Sequence, residues 1–304
     1  MKRRSILKAG AALAPGLLAA CQLAATTAPP RRLERFGLQL STVTPLMLAD
    51  FEGTLETVAE IGYPEVEFSA MGFLGRSPAQ VRKLLADNGL DAPVGRITPR
   101  LPEDFFSLSR PDAMKVFRER GQLKYLLDNV AQSLEAATAL GQKTLVLPAL
   151  MPDHFRSLDQ VQRNIEVMNQ AGELCARQGV VFGYHNHSWE LAPLEGTVPY
   201  DLMIEQTDSD QVTYQLDAYW IAKGGGDLSD YLSRYPGRFS SCHMKDIDKD
   251  GDFADVGDGE IDFPRFTSEA VAQGAQYFFV ERDNPPDPAS SIRRSYAYLK
   301  QMTY

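Results

Sequence analysis

Eight short runs of apolar and β-branched residues recur along the chain, and between them apolar positions return every three or four residues. The runs occupy 35–42, 64–69, 91–97, 143–150, 180–187, 212–219, 238–246 and 276–283. Runs of this length and composition predict strands, and the 3.6-residue period between them predicts helices. Phe51, Leu55, Val58 and Ile61 keep helical spacing up to Gly62, which stops the turn. Ser77-Pro78-Ala79-Gln80 reads as a capping box with proline at the first helical position. Further helices are expected over 112–140, either as one long element or broken near Gly121, and over 158–178, 200–206, 228–235, 263–273 and 288–302. Eight strands each followed by helix, with no linker or shift in composition, predict a single (β/α)8 TIM barrel over 33–304. An open doubly wound sheet is the alternative, and it has no need of so regular a repeat.

The barrel reading says where to look for chemistry, because active sites of this architecture lie at the C-terminal ends of the strands. Strand five ends in Tyr184-His185-Asn186-His187, strand six in Asp217, strand seven in His243 and Lys245, strand eight in Glu281 and Asp283, and strand two contributes Glu67. Side chains alternate across a strand, so His185 and His187 are expected to project the same way. Each of these residues is costly to bury without a partner. One divalent cation serves several of them at once: His185, Asp217, His243 and Glu281 form a mixed nitrogen and oxygen set suited to Mn²⁺, Zn²⁺ or Co²⁺ and unsuited to a thiolate-preferring ion. The bland alternative is a set of core histidines satisfied by neighbouring carbonyls.

Residues 1–32 read differently. Lys2, Arg3 and Arg4 form a basic head, 6–20 is mostly apolar, and Leu18-Ala19-Ala20 precedes Cys21. This matches an export signal with a twin-arginine-like start and a lipobox whose cysteine, Cys21, would be lipidated, followed by a Thr/Pro-containing tether. The protein is therefore expected to be exported and periplasmic, touching a membrane only through the lipid anchor. The net charge is −9, and the residues before Cys21 hold four basic side chains and no acid, so the remainder is more acidic still. That excludes a nucleic-acid surface. Cys175 and Cys242 are the remaining cysteines, too few for a disulfide framework.

Tyr184-His185-Asn186-His187-Ser188-Trp189-Glu190, Gln215-Leu216-Asp217-Ala218-Tyr219-Trp220 followed by 224–227, Cys242-His243-Met244-Lys245-Asp246 and Phe279-Val280-Glu281-Arg282-Asp283 together resemble the xylose-isomerase-like barrel superfamily, in particular its sugar phosphate isomerase/epimerase-type members. The resemblance runs from about Arg35 to Leu299. It implies one divalent metal held from strands five to eight, at positions matching His185, Asp217, His243 and Glu281. His185 departs from the pattern, because many epimerases carry glutamate before the asparagine. A histidine-rich strand five with a His-x-Lys-Asp strand seven also resembles inosose dehydratases, lyases on the same scaffold.

Three functions follow. The first is a metal-dependent isomerase or epimerase that forms an enediolate from an unphosphorylated sugar or keto-sugar, with Glu281 lifting the proton and His187, Glu190 or Lys245 as the second acid/base group. The second is a lyase or dehydratase acting on a keto-sugar or cyclitol. The third is a carbohydrate-binding lipoprotein without turnover. Glu67 and Asp283 are expected to face the substrate. Trp189 and Trp220 read either as a stacking platform for a sugar or as loop packing, and Lys245 either as an enolate stabiliser or as the ion-pair partner of Glu281 or Asp283. Asp246, Asp248, Asp250 and Gly251 open like an EF-hand, but Gly257 stands where a bidentate glutamate is required, so a solvated acidic loop is expected instead. Acids crowding strand seven, where phosphate-binding barrels hold their anion, argue for an unphosphorylated substrate.

Overall fold

The computed structural model describes residues 30–304 apart from Glu103. The segment expected to be an export signal, the expected lipobox with Cys21 and most of the expected tether fall outside the described residues. Arg31–Tyr304 forms one compact unit.

Eight parallel strands build the barrel: β1 (Gly37–Gln39), β2 (Glu65–Glu67), β3 (Val94–Arg96), β4 (Thr144–Leu147), β5 (Val181–His185), β6 (Val212–Asp217), β7 (Phe239–Met244) and β10 (Tyr277–Val280). Between the last two lies a small antiparallel hairpin, β8 (Asp246–Ile247) with β9 (Phe253–Ala254). The ladder runs β2-β1-β10-β7-β6-β5-β4-β3. Pairing of the first barrel strand with the last, Gly37 opposite Phe279, rules out the doubly wound alternative. β2 and β3 share no ladder; a single bridge between Glu65 and Asp91 joins that side.

The helices follow the predicted spacing. Phe51–Ile61 ends at Gly62 with φ of 115°, and Pro78–Asp87 begins with the reciprocal Ser77 and Gln80 capping bonds. The segment 112–140 is two helices, Arg110–Arg120 and Leu126–Leu140, separated by a 3₁₀ turn at Leu123–Tyr125. Strand six stops at Asp217 rather than 219, because the Asp217 carboxylate caps a further helix, Ala218–Lys223, by accepting from the Trp220 N–H. Among the described residues no helix is long and apolar enough to cross a membrane.

The main core lies between the barrel and its helices, where outward-facing Leu38, Val66, Leu145, Phe182, Leu216 and Cys242 are buried. Inside the barrel a second, small cluster of Val94, Val146 and Phe279 forms a plug. Gly37 makes room for it, since a Cβ there would stand 2.5 Å from the Phe279 ring. Above the plug the interior turns polar, and β1, β2, β3, β5, β6 and β7 contribute Gln39, Glu67, Arg96, His185, Gln215, Asp217 and His243, all buried.

Candidate metal centre

His185, Asp217, His243 and Glu281 converge at the top of the barrel, each buried, with one donor atom apiece lying within 4.8 Å of the others. Register explains the convergence. Asp217 lies opposite His243 across β6 and β7, and Gln215 opposite His185 across β5 and β6.

The hydrogen bonds around the cluster decide which imidazole nitrogens face it. The His185 Nδ1–H donates to the Gln215 Oε1 at 3.1 Å, and the Gln215 Nε2 donates to the Glu67 Oε1 at 3.0 Å, which fixes the amide orientation. The His185 Nε2 is thus left with its lone pair, 3.7 Å from the Asp217 Oδ2. Burial, reinforced by His243 and Arg96, holds the His185 pKa well below its usual value, so the ring is neutral and able to coordinate. His243 sits between two carboxylates, its Nε2 at 2.7 Å from the Glu67 Oε2 and its Nδ1 at 2.8 Å from the Glu281 Oε2. Burial alone would lower its pKa, but Glu281 and Glu67 outweigh it and push it up to about 10. The two carboxylates favour the imidazolium, so His243 would hold a metal only after giving up a proton, with Glu67 orienting the ring.

The remaining donors are oxygens. The Asp217 Oδ1 caps its helix, and its Oδ2 is buried with no hydrogen-bond partner among the described residues. A buried carboxylate oxygen without a hydrogen bond, beside two imidazoles and 3.9 Å from the Lys245 Nζ, suits a cation. The Glu281 Oε1 accepts from the Ser41 Oγ at 2.7 Å, and its Oε2 also meets the Lys245 Nζ at 3.1 Å. Burial would raise the Glu281 pKa, but Lys245 and His243 outweigh it and hold the carboxyl well below the usual range. Lys245 donates to the Asp283 Oδ2 at 2.8 Å and stands 5.2 Å from the Trp220 ring centre. Burial opposes its charge, yet Glu281, Asp217 and Asp283 keep it an ammonium, as the ion-pair reading expects.

The other predicted site residues are placed as follows. His187 lies just past β5, its ring 5.1 Å from that of His185 and stacked on Trp189 at 4.4 Å. Burial, then Lys245, lowers its pKa to about 3. Trp189 and Trp220 stand 6.1 Å apart with His187 between them, beside the cluster. Glu67 is fully buried beneath the cluster, where it accepts from Gln39, Gln215 and His243 and pairs with Arg96, a position suited to orienting His243. Glu190 turns away from it. Its carboxylate accepts from the Tyr184 hydroxyl at 2.5 Å and the His187 N–H at 3.0 Å, tying the turn to the outer face of β5, and burial pushes its pKa up to about 8. The acidic loop is not simply solvated either. Asp246 is buried and accepts N–H bonds from Ile247, Gly257, Gly259 and Ile261, and Asp255 is buried against Arg282, Arg294 and Ser291. The Asp255 charge is thereby compensated within the fold, and the Asp246 carboxylate is turned inward onto backbone N–H groups. Gln39, Ser41, Arg96 and Gln215 belong to the site and were not singled out from sequence; the available signal was a polar residue at an inward position of an otherwise apolar strand.

The fold and the buried donor set define a (β/α)8 barrel with a candidate metal centre at its catalytic end. The chain belongs to the xylose isomerase-like TIM barrel family, whose model matches residues 55–302. It spans about half the length of the curated relatives it matches, among them an inosose dehydratase of Clostridium perfringens, 26% identical over 160 residues covering 45% of this chain and 53% of the relative. Among solved structures, a sugar phosphate isomerase/epimerase from Parabacteroides distasonis superposes with a TM-score of 0.70 at 24% identity, covering 92% of this chain and 96% of the other. A 3-keto-D-glucoside 4-epimerase from E. coli does so at 0.62 and 18%, covering 88% and 99%.

Proposed function

We propose that the protein is a metal-dependent isomerase or epimerase of an unphosphorylated sugar or keto-sugar. The observation that carries this is the buried His185, Asp217, His243 and Glu281 cluster, with the Asp217 Oδ2 lacking a hydrogen bond among the described residues and both imidazoles oriented from outside. A divalent ion held there would supply Lewis acidity to adjacent carbonyl and hydroxyl oxygens. Lys245 adds a fixed positive charge where enediolate charge develops. Glu281, kept ionised, is the proton acceptor at the carbon beside the carbonyl, and His187, neutral and with a buried Nδ1 that lacks a partner among the described residues, is placed to hydrogen-bond a substrate hydroxyl. Trp189 and Trp220 offer faces to the sugar ring.

A second reading shares the proton abstraction and then expels a β-hydroxyl, a dehydratase reaction. The name of the curated relatives favours it. Export through the Arg3-Arg4 signal and lipidation at Cys21 belong to the same proposal. The test is NMR in D₂O with metal-loaded protein and a panel of free sugars, keto-sugars and inososes. Deuterium entering a C–H next to the carbonyl, with the skeleton retained, supports epimerisation; loss of water identifies the dehydratase. No exchange and no elimination, with metal bound, removes both.

A further inference from the structure

The barrel wall parts between β2 and β3. Below the gap the Val66 N–H donates to the Asp91 carbonyl at 2.8 Å and the Asp91 N–H to that of Pro64 at 3.0 Å; above it the two strands separate. Where the segments that follow β2 and β3 diverge, against helix Leu126–Leu140, lies a cavity of about 320 Å³, with Phe68, Met71 and Leu74 as apolar wall and Ser69, Thr98 and Ser133 as hydroxyl-bearing wall. Arg96 lines it too, although that residue is only 8% exposed.

The guanidinium is incompletely used. Its Nε lies 3.3 Å from the Glu67 Oε1. Its Nη2 is 3.4 Å from the His243 Nε2, but that nitrogen's hydrogen already points to Glu67, so donor faces donor. Its Nη1 is buried and has no partner among the described residues. A buried donor left unpaired is costly; Arg96 borders the cavity, and because Nη1 itself has no surface open to it, an acceptor seated there reaches that donor by a small shift of the side chain. Small-molecule sites are concave, mostly apolar and furnished with a few convergent polar groups, as this cavity is.

We propose that the seam between β2 and β3 is a binding site for a small carboxylate, received by Arg96, with the body of the molecule packed on Phe68, Met71 and Leu74. A planar carboxylate matches the guanidinium plane. Arg76 also lines the cavity, but its Nε and Nη2 are both held by Glu52; with Glu67 beside Arg96 and Glu135 in the lining, a carboxylate monoanion suits the seam better than a phosphate dianion. The carboxylate belongs either to an acidic sugar reaching down from the barrel mouth or to a separate small acid.

The test uses the full chain stripped of metal, so its result does not depend on the metal-centre reading. Calorimetric titrations compare glucuronate with glucose and benzoate with benzamide, and add inorganic phosphate. At least one acid is expected to bind with one-to-one stoichiometry, tenfold or more tighter than its neutral counterpart and than phosphate. Arg96→Gln should abolish that preference. Ala136→Phe, which fills the cavity from helix Leu126–Leu140 and leaves the Arg96 and Glu67 pair in place, should weaken binding tenfold or more even where Arg96→Gln fails to fold. Neutral ligands binding as well as acids, phosphate binding best, or Ala136→Phe leaving the affinity unchanged overturns the proposal. With Mn²⁺ added back, paramagnetic broadening of the bound acid's protons identifies an acidic sugar reaching the cluster. Tight binding without broadening identifies a separate acid, and both results uphold the site.

Discussion

Replacing Glu67 with glutamine tests how the cluster is held together. The carboxylate accepts from the Gln39 Nε2 at 2.8 Å, the Gln215 Nε2 at 3.0 Å and the His243 Nε2 at 2.7 Å, and it pairs with Arg96. A glutamine keeps the shape but brings an NH₂ group against a ring of donors, so at least one contact becomes donor on donor. Two effects follow. Arg96 loses its counter-charge in a buried setting, a type of change that costs roughly 3–5 kcal/mol. His243 loses the acceptor that orients its ring, and removing such a partner of a metal-bound histidine weakens metal binding about 10- to 100-fold, or roughly 1.4–2.8 kcal/mol. The sign of the pH effect is also defined. Burial would raise the Glu67 pKa, but Arg96 and His243 outweigh it and the value is lowered. Its stabilising contribution is thus present above the unfolded carboxyl pKa of about 4.3 and lost as pH falls through the lower folded value. Thermal unfolding across pH gives the stability effect, and competition with a chromogenic chelator gives the metal affinity. A folded Glu67→Gln protein that binds Mn²⁺ or Zn²⁺ as tightly as the parent would refute the argument that Glu67 orients His243.

Asp217→Ala should lose metal altogether, because it removes a buried donor oxygen that has no hydrogen bond among the described residues, and metal analysis after dialysis checks this. Metal binding should release the His243 proton and strengthen as pH rises toward about 10; calorimetry in buffers of different ionisation enthalpy counts that proton, and a pH-independent affinity between 7 and 9 contradicts it. Without metal, the same raised pKa stabilises the fold fully below the unfolded histidine value of about 6.5, and the benefit fades as pH climbs to about 10. Glu190→Gln should keep metal and change turnover less than tenfold. It should also remove a loss of stability that in the parent develops from about pH 4.3 to about 8, where burial holds the folded carboxyl protonated; steady-state rates and unfolding at pH 5 and pH 8 decide it. Lys245→Met should lower turnover about 100-fold with metal retained, as expected for removal of a group that stabilises developing charge; an unchanged rate would assign the lysine to ion pairing alone.

The architecture was legible because each strand announced itself by a short apolar run and each helix by its period and caps, as Ser77 and Gln80 show. Strand-end logic also singled out the four side chains that the structure brings together, His185, Asp217, His243 and Glu281, since ionisable side chains at the ends of apolar runs have few bland explanations. It erred where one residue had two duties or where sequence proximity misled. Asp217 is both a candidate ligand and a helix cap, so β6 ended earlier than its composition indicated. Glu190 follows the histidines closely, yet the chain turns and sends its carboxylate to Tyr184 on the opposite face. Gln39 and Gln215 escaped notice because a neutral amide in a strand gives no local sign of which carboxylate or imidazole it will meet. The gap between β2 and β3 has no signature in hydropathy, since it is a failure of two strands to pair.

The placement of the tryptophans gives the site an optical voice. The chain contains two, Trp189 and Trp220, and both flank His187 at the barrel mouth. Trp220 donates its backbone N–H to the same Asp217 carboxylate whose other oxygen faces the cluster. Ultraviolet emission from the described barrel therefore originates, as far as indole is concerned, at the catalytic end alone, and filling or emptying the centre can be followed in unlabelled protein without a reporter dye.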